Sequence, residues 1–202
     1  VQFRLELLQK AKTNPAGDVK YDVDRMIGVI NLAAEKSGWG KKKNVFQGFS
    51  VYFSHRSYVA QVCEMVMDKG KPLVKKVYAA SDCGQVVNLS GARQQVTGGI
   101  VDGYGHAMFG KLSFTNGETD QKNYNAYRLI RMKEIPEVET HFVDNGIEPT
   151  GLGEPALPPT GGAVANAIFK ATGQRMRNQP FMDEEVFGGK KVGSVLKKEK
   201  IN

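Results

Sequence analysis

A chain of 202 residues with 41% hydrophobic and 24% charged residues has the composition of a folded globule with one ordinary core, and excludes disordered and collagen-like classes. No run approaches the ~20 apolar residues that a helix needs to cross a bilayer, and the start lacks the order of a signal peptide. The net charge of +7 admits a polyanionic partner, but the lysines gather at Lys41 to Lys43, at Lys69, Lys71, Lys75 and Lys76, and from Lys190 to Lys200 without interleaved aromatics. They read as solvated loop charge, and no nucleic-acid surface is expected.

The first element, with Phe3, Leu5, Leu7 and Leu8, is amphipathic but has no capping residue ahead of Val1, and so reads as the inside of a longer chain. Helical spacing returns from about Asp22 to Ser37 through Met26, Ile27, Ile30, Leu32, Ala33 and Ala34, and Gly38 and Gly40 around Trp39 can stop it. From Phe46 to Ser81 the period changes to two. This predicts antiparallel strands, with Asp68-Lys69-Gly70-Lys71 as a hairpin turn and Tyr52, Phe53 and Tyr58 as packing residues. Ala92 to Phe109 is helical again, yet contains Gly98, Gly99, Gly103 and Gly105, each costing roughly 0.5–1 kcal/mol relative to Ala in a helix. Close approach by a ligand or by another helix must compensate.

Leu112 to Phe114, a turn at Asn116-Gly117, a return strand and Val138 to Val143 are predicted to complete a sheet. Residues 144–160 are irregular, with Pro149, Pro155, Pro158 and Pro159, and long irregular loops in compact domains are often functional. Gly162 to Thr172 is the last helix, closed by Gly173. The fold class is α+β, a mostly antiparallel sheet with packed helices. Residues 1–40 form a helical lead-in, 45–181 the core, and 182–202 a basic, poorly ordered tail.

Two segments carry candidate chemistry. In Gly151-Leu152-Gly153-Glu154-Pro155 a carboxylate stands between glycines that admit a ligand and a proline that holds the loop. The following Pro158-Pro159-Thr160-Gly161-Gly162-Ala163 leads into a helix whose free N–H groups would suit an anion such as a pyrophosphate. The plainer alternative for Glu154 is a solvated or capping side chain. In Gln94-Gln95-Val96-Thr97-Gly98-Gly99 an amide, donor and acceptor at once, precedes glycines that allow close approach. Tight helix packing is the equal alternative there. Asp82 and Asn88 read as side-chain turns that satisfy backbone donors. Cys63 and Cys83 lack CxxC spacing, so no zinc or iron–sulfur site is encoded and one disulfide stays open. His55, His106 and His141 are too scattered for a metal motif and read as packing or surface residues.

Five segments in order, Asp82-Cys83-Gly84-Gln85-Val86-Val87-Asn88, Gln95-Val96-Thr97-Gly98-Gly99, Gly151-Leu152-Gly153-Glu154-Pro155, Ala165-Asn166-Ala167-Ile168 and Ala171-Thr172-Gly173, resemble the isoquinoline 1-oxidoreductase beta subunit. That subunit belongs to the xanthine oxidase and aldehyde oxidase family of molybdenum hydroxylases, and the likeness runs from Val1 to about Phe181, its C-terminal part. The resemblance implies that Glu154 is the catalytic base in hydroxylation of N-heteroaromatic or aldehyde substrates with water-derived oxygen. It implies molybdopterin cytosine dinucleotide as cofactor, contacted through Gln95, Gly98, Gly99 and Gly153, with Gly162, Ala163 and Asn166 near its dinucleotide end, and no metal ligand on this chain. The implied partners are the upstream part of the same subunit, which completes the pocket, and a small [2Fe-2S] subunit that removes electrons. The piece alone is then expected to be inactive, and its compartment, periplasm or cytoplasm, is open. The rival reading is a non-catalytic relative or a basic anion- or nucleic-acid-binding module.

Overall fold

Alternating side chains between Phe46 and Asp82 demand a sheet, and the glycine and polar positions between them demand tight reversals. The computed structural model describes residues 1–18, 20–184 and 187. In it β1 (Phe46–Ser54), β2 (Ser57–Asp68) and β3 (Lys71–Asp82) form an antiparallel meander. His55 and Arg56, at φ 52° and 62°, close the first hairpin, and Lys69 and Gly70, at 49° and 79°, close the second. Two consecutive positive φ values give the turn whose twist matches that of paired strands. β2 is buried on both faces from Ser57 to Met65, so it carries an almost unbroken apolar run. Val59, Cys63 and Met65, with Val77 and Ala79, face one core. Tyr58, Ala60 and Val62, with Tyr78 and Ala80, face the other.

Helices cover both faces. α1 (Gln2–Thr13) and α2 (Val23–Ser37) lie on the second core, and α3 (Leu89–Met108) and α4 (Pro158–Thr172) on the first. α2 has the ends its sequence predicts: the Asp22 carboxylate accepts from the N–H groups of Asp24 and Arg25, and Gly38 caps the far end in the left-handed conformation. α1 covers less than its pattern promises. Leu8 is buried, but Phe3 and Leu7 stay exposed, because α1 lies chiefly against α2.

The expectation for residues 112–143 is corrected in one respect. β4 (Phe114–Thr115) and β5 (Glu118–Thr119) do turn at Asn116-Gly117, but they form a ribbon of their own, since two-residue strands with Phe114 exposed offer no apolar face to the sheet. β6 (Glu137–Phe142) alone joins the sheet, in parallel beside β3, giving the order β1-β2-β3-β6. The α+β, mostly antiparallel class is as predicted. Apart from residues 182–184 and 187, the basic tail lies outside the described residues.

Two lysines read as solvated are not. Lys76 bridges Glu137 at 2.6 Å and Glu139 at 2.7 Å, fastening β6 to β3, and Lys42 pairs with Glu64 at 2.6 Å. Cys63 and Cys83 are free and buried, with no disulfide between them. α4 rides directly on the backbone of β1: a Cβ at Gly48 would lie 2.1 Å from both the Ala163 carbonyl oxygen and the Ala167 nitrogen. Asn166 Nδ2 donates to the Phe49 carbonyl at 2.9 Å along the same seam.

Gly48→Ala, which ordinarily favours a strand, is therefore expected to destabilise by ~1–3 kcal/mol through overpacking, read as a lower denaturant midpoint; an unchanged midpoint contradicts this seam. The Lys76 hydrogen bond holds the Glu139 carboxyl below its ordinary value of 4.5. A depressed folded pKa means the contribution is present above the unfolded value and lost as pH falls through the folded one. Protection of the β6 amides, corrected for the intrinsic exchange rate, is expected to fall in that acidic window, and Lys76→Met to remove the part of this pH dependence that the ion pair carries.

Candidate active site

Parallel pairing of β3 with β6 puts both carboxyl ends on one sheet edge, where Ser81 lies opposite Phe142. The β1–β2 turn lies at the same edge, because Tyr58 is paired with Asp82. Three connections thus meet there: the turn at His55-Arg56, the bend after Asp82, and residues 143–157 between β6 and α4.

The loop 143–157 has no strand partner, so its backbone is satisfied by what surrounds it. At its entrance the fully buried Asp82 carboxylate is gripped by Arg25, through Nη2 at 2.7 Å and Nε at 3.0 Å. Asn145 Nδ2 donates to both carboxylate oxygens, at 2.9 and 2.8 Å. Its hydrogen bonds to Asp82 raise the pKa of Arg25, whose guanidinium also stacks 4.6 Å from the Tyr58 ring centroid. Further along, Gln85 N–H donates to the Ile147 carbonyl at 2.7 Å, Thr150 N–H to Cys83 at 2.8 Å and Gly151 N–H to His55 at 3.1 Å. Gly84, at φ 71°, is needed here because a Cβ would sit 2.3 Å from the Glu148 carbonyl oxygen. The Ser57 hydroxyl donates to the Gly151 carbonyl.

The exit is held from the sheet interior. Gln61, fully buried in the middle of β2, donates from Nε2 to the Ala156 carbonyl at 2.6 Å, and its Oε1 accepts from the Thr160 hydroxyl at 2.9 Å. From the other side α3 presses in. A Cβ at Gly99 would meet Ala156 Cβ at 3.2 Å and the Gly153 carbonyl oxygen at 3.4 Å, and one at Gly103 would meet the Leu157 carbonyl oxygen at 2.6 Å. These two glycines serve close packing. Gly98 does not, since nothing lies within 4 Å of its Cβ position.

Between these fixings Glu154 projects outward, its side chain 82% exposed, while Pro155 behind it is buried and Leu157 N–H donates to the Glu154 carbonyl at 3.0 Å. Gln95 and Gly98, three residues apart, share a face of α3. The Gln95 Oε1 lies 3.3 Å from the Cβ position of Gly153, the residue before Glu154. Among the described residues no hydrogen bond occupies either the Gln95 amide or the Glu154 carboxylate. His55, Gly151 to Gly153, Glu154 and Pro155 line a shallow hollow of about 230 Å³.

Gly162, Ala163 and Asn166 lie elsewhere. α4 begins at Pro158 rather than Gly162, and its start offers little to an anion: Pro158 and Pro159 carry no N–H, and that of Thr160 bonds the Leu157 carbonyl at 3.2 Å. Ala163 is fully buried against β1, and a Cβ at Gly162 would sit 2.9 Å from Ser50 Oγ. Asn166 instead borders a separate cavity of about 420 Å³, with Arg4, Trp39, Gln47, Lys170 and Arg175 among its walls. Sequence reasoning missed Arg25, Gln61 and Asn145. For Gln61 a signal exists, an amide inside the apolar run Tyr58-Val59-Ala60-Gln61-Val62-Cys63, because a buried polar group must find a partner. It also set aside His55, whose Nε2 lies 3.6 Å from Glu154 Oε2.

The fold and site thus define an α+β domain with a loop-held carboxylate at one end of its sheet and a helix face that bears an open amide and a bare glycine. Residues 10–136, more than half of the chain, match the molybdopterin cofactor-binding domain, and the chain belongs to that family. The match includes Gln95, Gly98 and Gly99 and ends before Glu154. Over 95% of its length the chain is 30% identical to the membrane-bound aldehyde dehydrogenase (pyrroloquinoline-quinone) of Gluconacetobacter polyoxogenes, covering 26% of that protein. It is 27% identical to the isoquinoline 1-oxidoreductase subunit beta of Brevundimonas diminuta, covering 89% of the chain and 22% of the relative. The aldehyde oxidoreductase structure from Desulfovibrio desulfuricans superposes with a TM-score of 0.51 at 25% identity, over 61% of this chain and 14% of that one. Quinoline 2-oxidoreductase from Pseudomonas putida, at 19% identity and a TM-score of 0.54 over 62% of this chain and 17% of that one, shares the fold. The chain thus spans about a quarter or less of the length of these relatives.

Gln61→Leu is expected to lower stability by ~1–3 kcal/mol, because the Ala156 carbonyl loses its amide donor and keeps only the Thr160 hydroxyl at 3.0 Å. Proteolysis or hydrogen exchange should localise the loosening to residues 150–160; an unchanged loop would contradict the clamp.

Proposed function

We propose that this chain supplies the base-bearing wall of a molybdenum hydroxylase active site, with Glu154 as general base and Gln95 and Gly98 as cofactor contacts. The observation that carries the reading is the approach of Gln95 Oε1 to Gly153, which sets an amide without an internal hydrogen bond against the loop residue that precedes Glu154. The donor set fits a pterin: an exposed amide can both donate to and accept from the polar edge of a fused heterocycle, and Gly98 leaves room for its flat body. When bound, the molybdenum–pterin group supplies the two-electron redox chemistry and the activation of water. Glu154 then accepts the proton released as water-derived oxygen attacks an electron-poor substrate carbon. Its backbone is held by Pro155, the Leu157 N–H and the Gln61 clamp, which fix where the side chain leaves the loop.

Arg4, Lys170 and Arg175 around Asn166 give the larger cavity the charge to receive the pyrophosphate of molybdopterin cytosine dinucleotide, a part first expected of the α4 start. Gly162 and Ala163 serve that wall from beneath, as packing against β1. The rest of a larger subunit covers the Gln95–Glu154 face, and a small [2Fe-2S] subunit takes the electrons. The names of the relatives include isoquinoline, nicotinate and aldehydes, so the substrate class is an N-heteroaromatic compound or an aldehyde. The chain alone is expected to show no turnover. A basic nucleic-acid-binding module is disfavoured because Lys42 and Lys76 direct their charge at Glu64, Glu137 and Glu139.

The test is Glu154→Gln in the full-length enzyme. Turnover is expected to fall by roughly 10²–10⁴-fold, with cofactor content and thermal midpoint unchanged. Retention of activity would overturn Glu154 as the base.

A further inference from the structure

We propose that His55 is a positioning residue for Glu154, donating from its ring to the carboxylate across the hollow at the sheet edge; the inference rests on the reading of Glu154 as base. His55 Nε2 lies 3.6 Å from Glu154 Oε2, a few tenths of an ångström beyond a hydrogen bond and well inside the reach of a rotamer adjustment. The ring is oriented from its other side, because Ser54 Oγ lies 2.8 Å from Nδ1. When the serine hydroxyl donates to Nδ1, the neutral imidazole carries its proton on Nε2, the nitrogen that faces Glu154.

The spacing between the two groups is set by main chain. His55 occupies the left-handed region at φ 52°, its carbonyl accepts from Gly151 N–H at 3.1 Å, and a Cβ at Gly151 would lie 2.4 Å from His55 Cβ. The β1–β2 turn and the Glu154 loop are therefore locked at a separation that glycine alone permits. Gln95 flanks the loop from α3 and His55 flanks it from the sheet. A glutamate with several free rotatable bonds loses entropy when it must hold one direction, and a fixed ring donor reduces the number of directions it samples.

The test uses the full-length, cofactor-loaded enzyme. His55→Leu is expected to lower kcat by roughly 10- to 100-fold, the scale of a misplaced reacting group, with KM and thermal midpoint unchanged. His55→Gln, whose amide nitrogen reaches as far as Nε2, is expected to restore most of the loss. Equal losses in the two variants would reduce His55 to packing and overturn the proposal, as would full activity in His55→Leu. Should His55→Leu fail to fold, Ser54→Ala carries the test, because it disturbs only the Nδ1 side; unchanged kcat there would overturn the proposal. Ring ¹⁵N shifts of histidine-labelled protein are expected to show the Nε2–H tautomer and to move on Glu154→Gln, whereas an Nδ1–H tautomer would count against it. Glu154→Gln separates the two readings: if it keeps turnover the base assignment fails first, and if it is inactive while His55→Leu is normal only the positioning role falls.

Discussion

A backbone without a strand partner must still satisfy its donors and acceptors, and that requirement at residues 143–157 governs everything around the candidate site. Its solution is two buried polar anchors. Asp82, paired through the Arg25 fork and the Asn145 amide, fixes where the loop leaves β6. Gln61, paired with the Ala156 carbonyl and the Thr160 hydroxyl, fixes where it enters α4. The Asp82–Arg25 ion pair contributes modestly to net stability because desolvation offsets much of its attraction. The value of both anchors lies in geometry, since each permits one path for the chain.

Small residues then set how near the elements approach. Gly48 lets α4 rest on the β1 backbone, Gly99 and Gly103 let α3 close on the loop and on α4, and Gly151 lets the loop reach the β1–β2 turn. The helix penalty of the α3 glycines is thus offset by packing at two of them, while Gly98 keeps an open side. The same approach brings Gln95 to Gly153. One set of glycines thus brings a glycine-rich helix and a Gly-Pro loop far apart in the chain into contact.

Much of this was readable from local pattern. The ends of α2 at Asp22 and Gly38 and the hairpin turn at Lys69-Gly70 follow from short-range sterics, and each lies where the residues predict it. The family match agrees with the resemblance to molybdenum hydroxylases and contains the two motifs that begin at Asp82 and Gln95. The start of α4 was misjudged because consecutive prolines read as loop, although proline suits the first helical positions, where an N–H has no partner to lose. The ribbon at Phe114 was misjudged because alternation does not say which sheet a short strand joins.

By itself the sequence determined most of the elements, the ends of α2, the fold class and the kinship with cofactor-binding domains, because these are written in short stretches of neighbouring residues. Only the tertiary structure decided that β6 runs parallel to β3, that Gly98 stays open while Gly99 and Gly103 are packed, and that Arg25, Gln61 and Asn145 anchor the loop. It also joined His55 to Glu154 and Gln95 to Gly153. Those contacts link residues far apart in the chain, and no local pattern records which distant partner a buried amide, a charge or a missing side chain will meet.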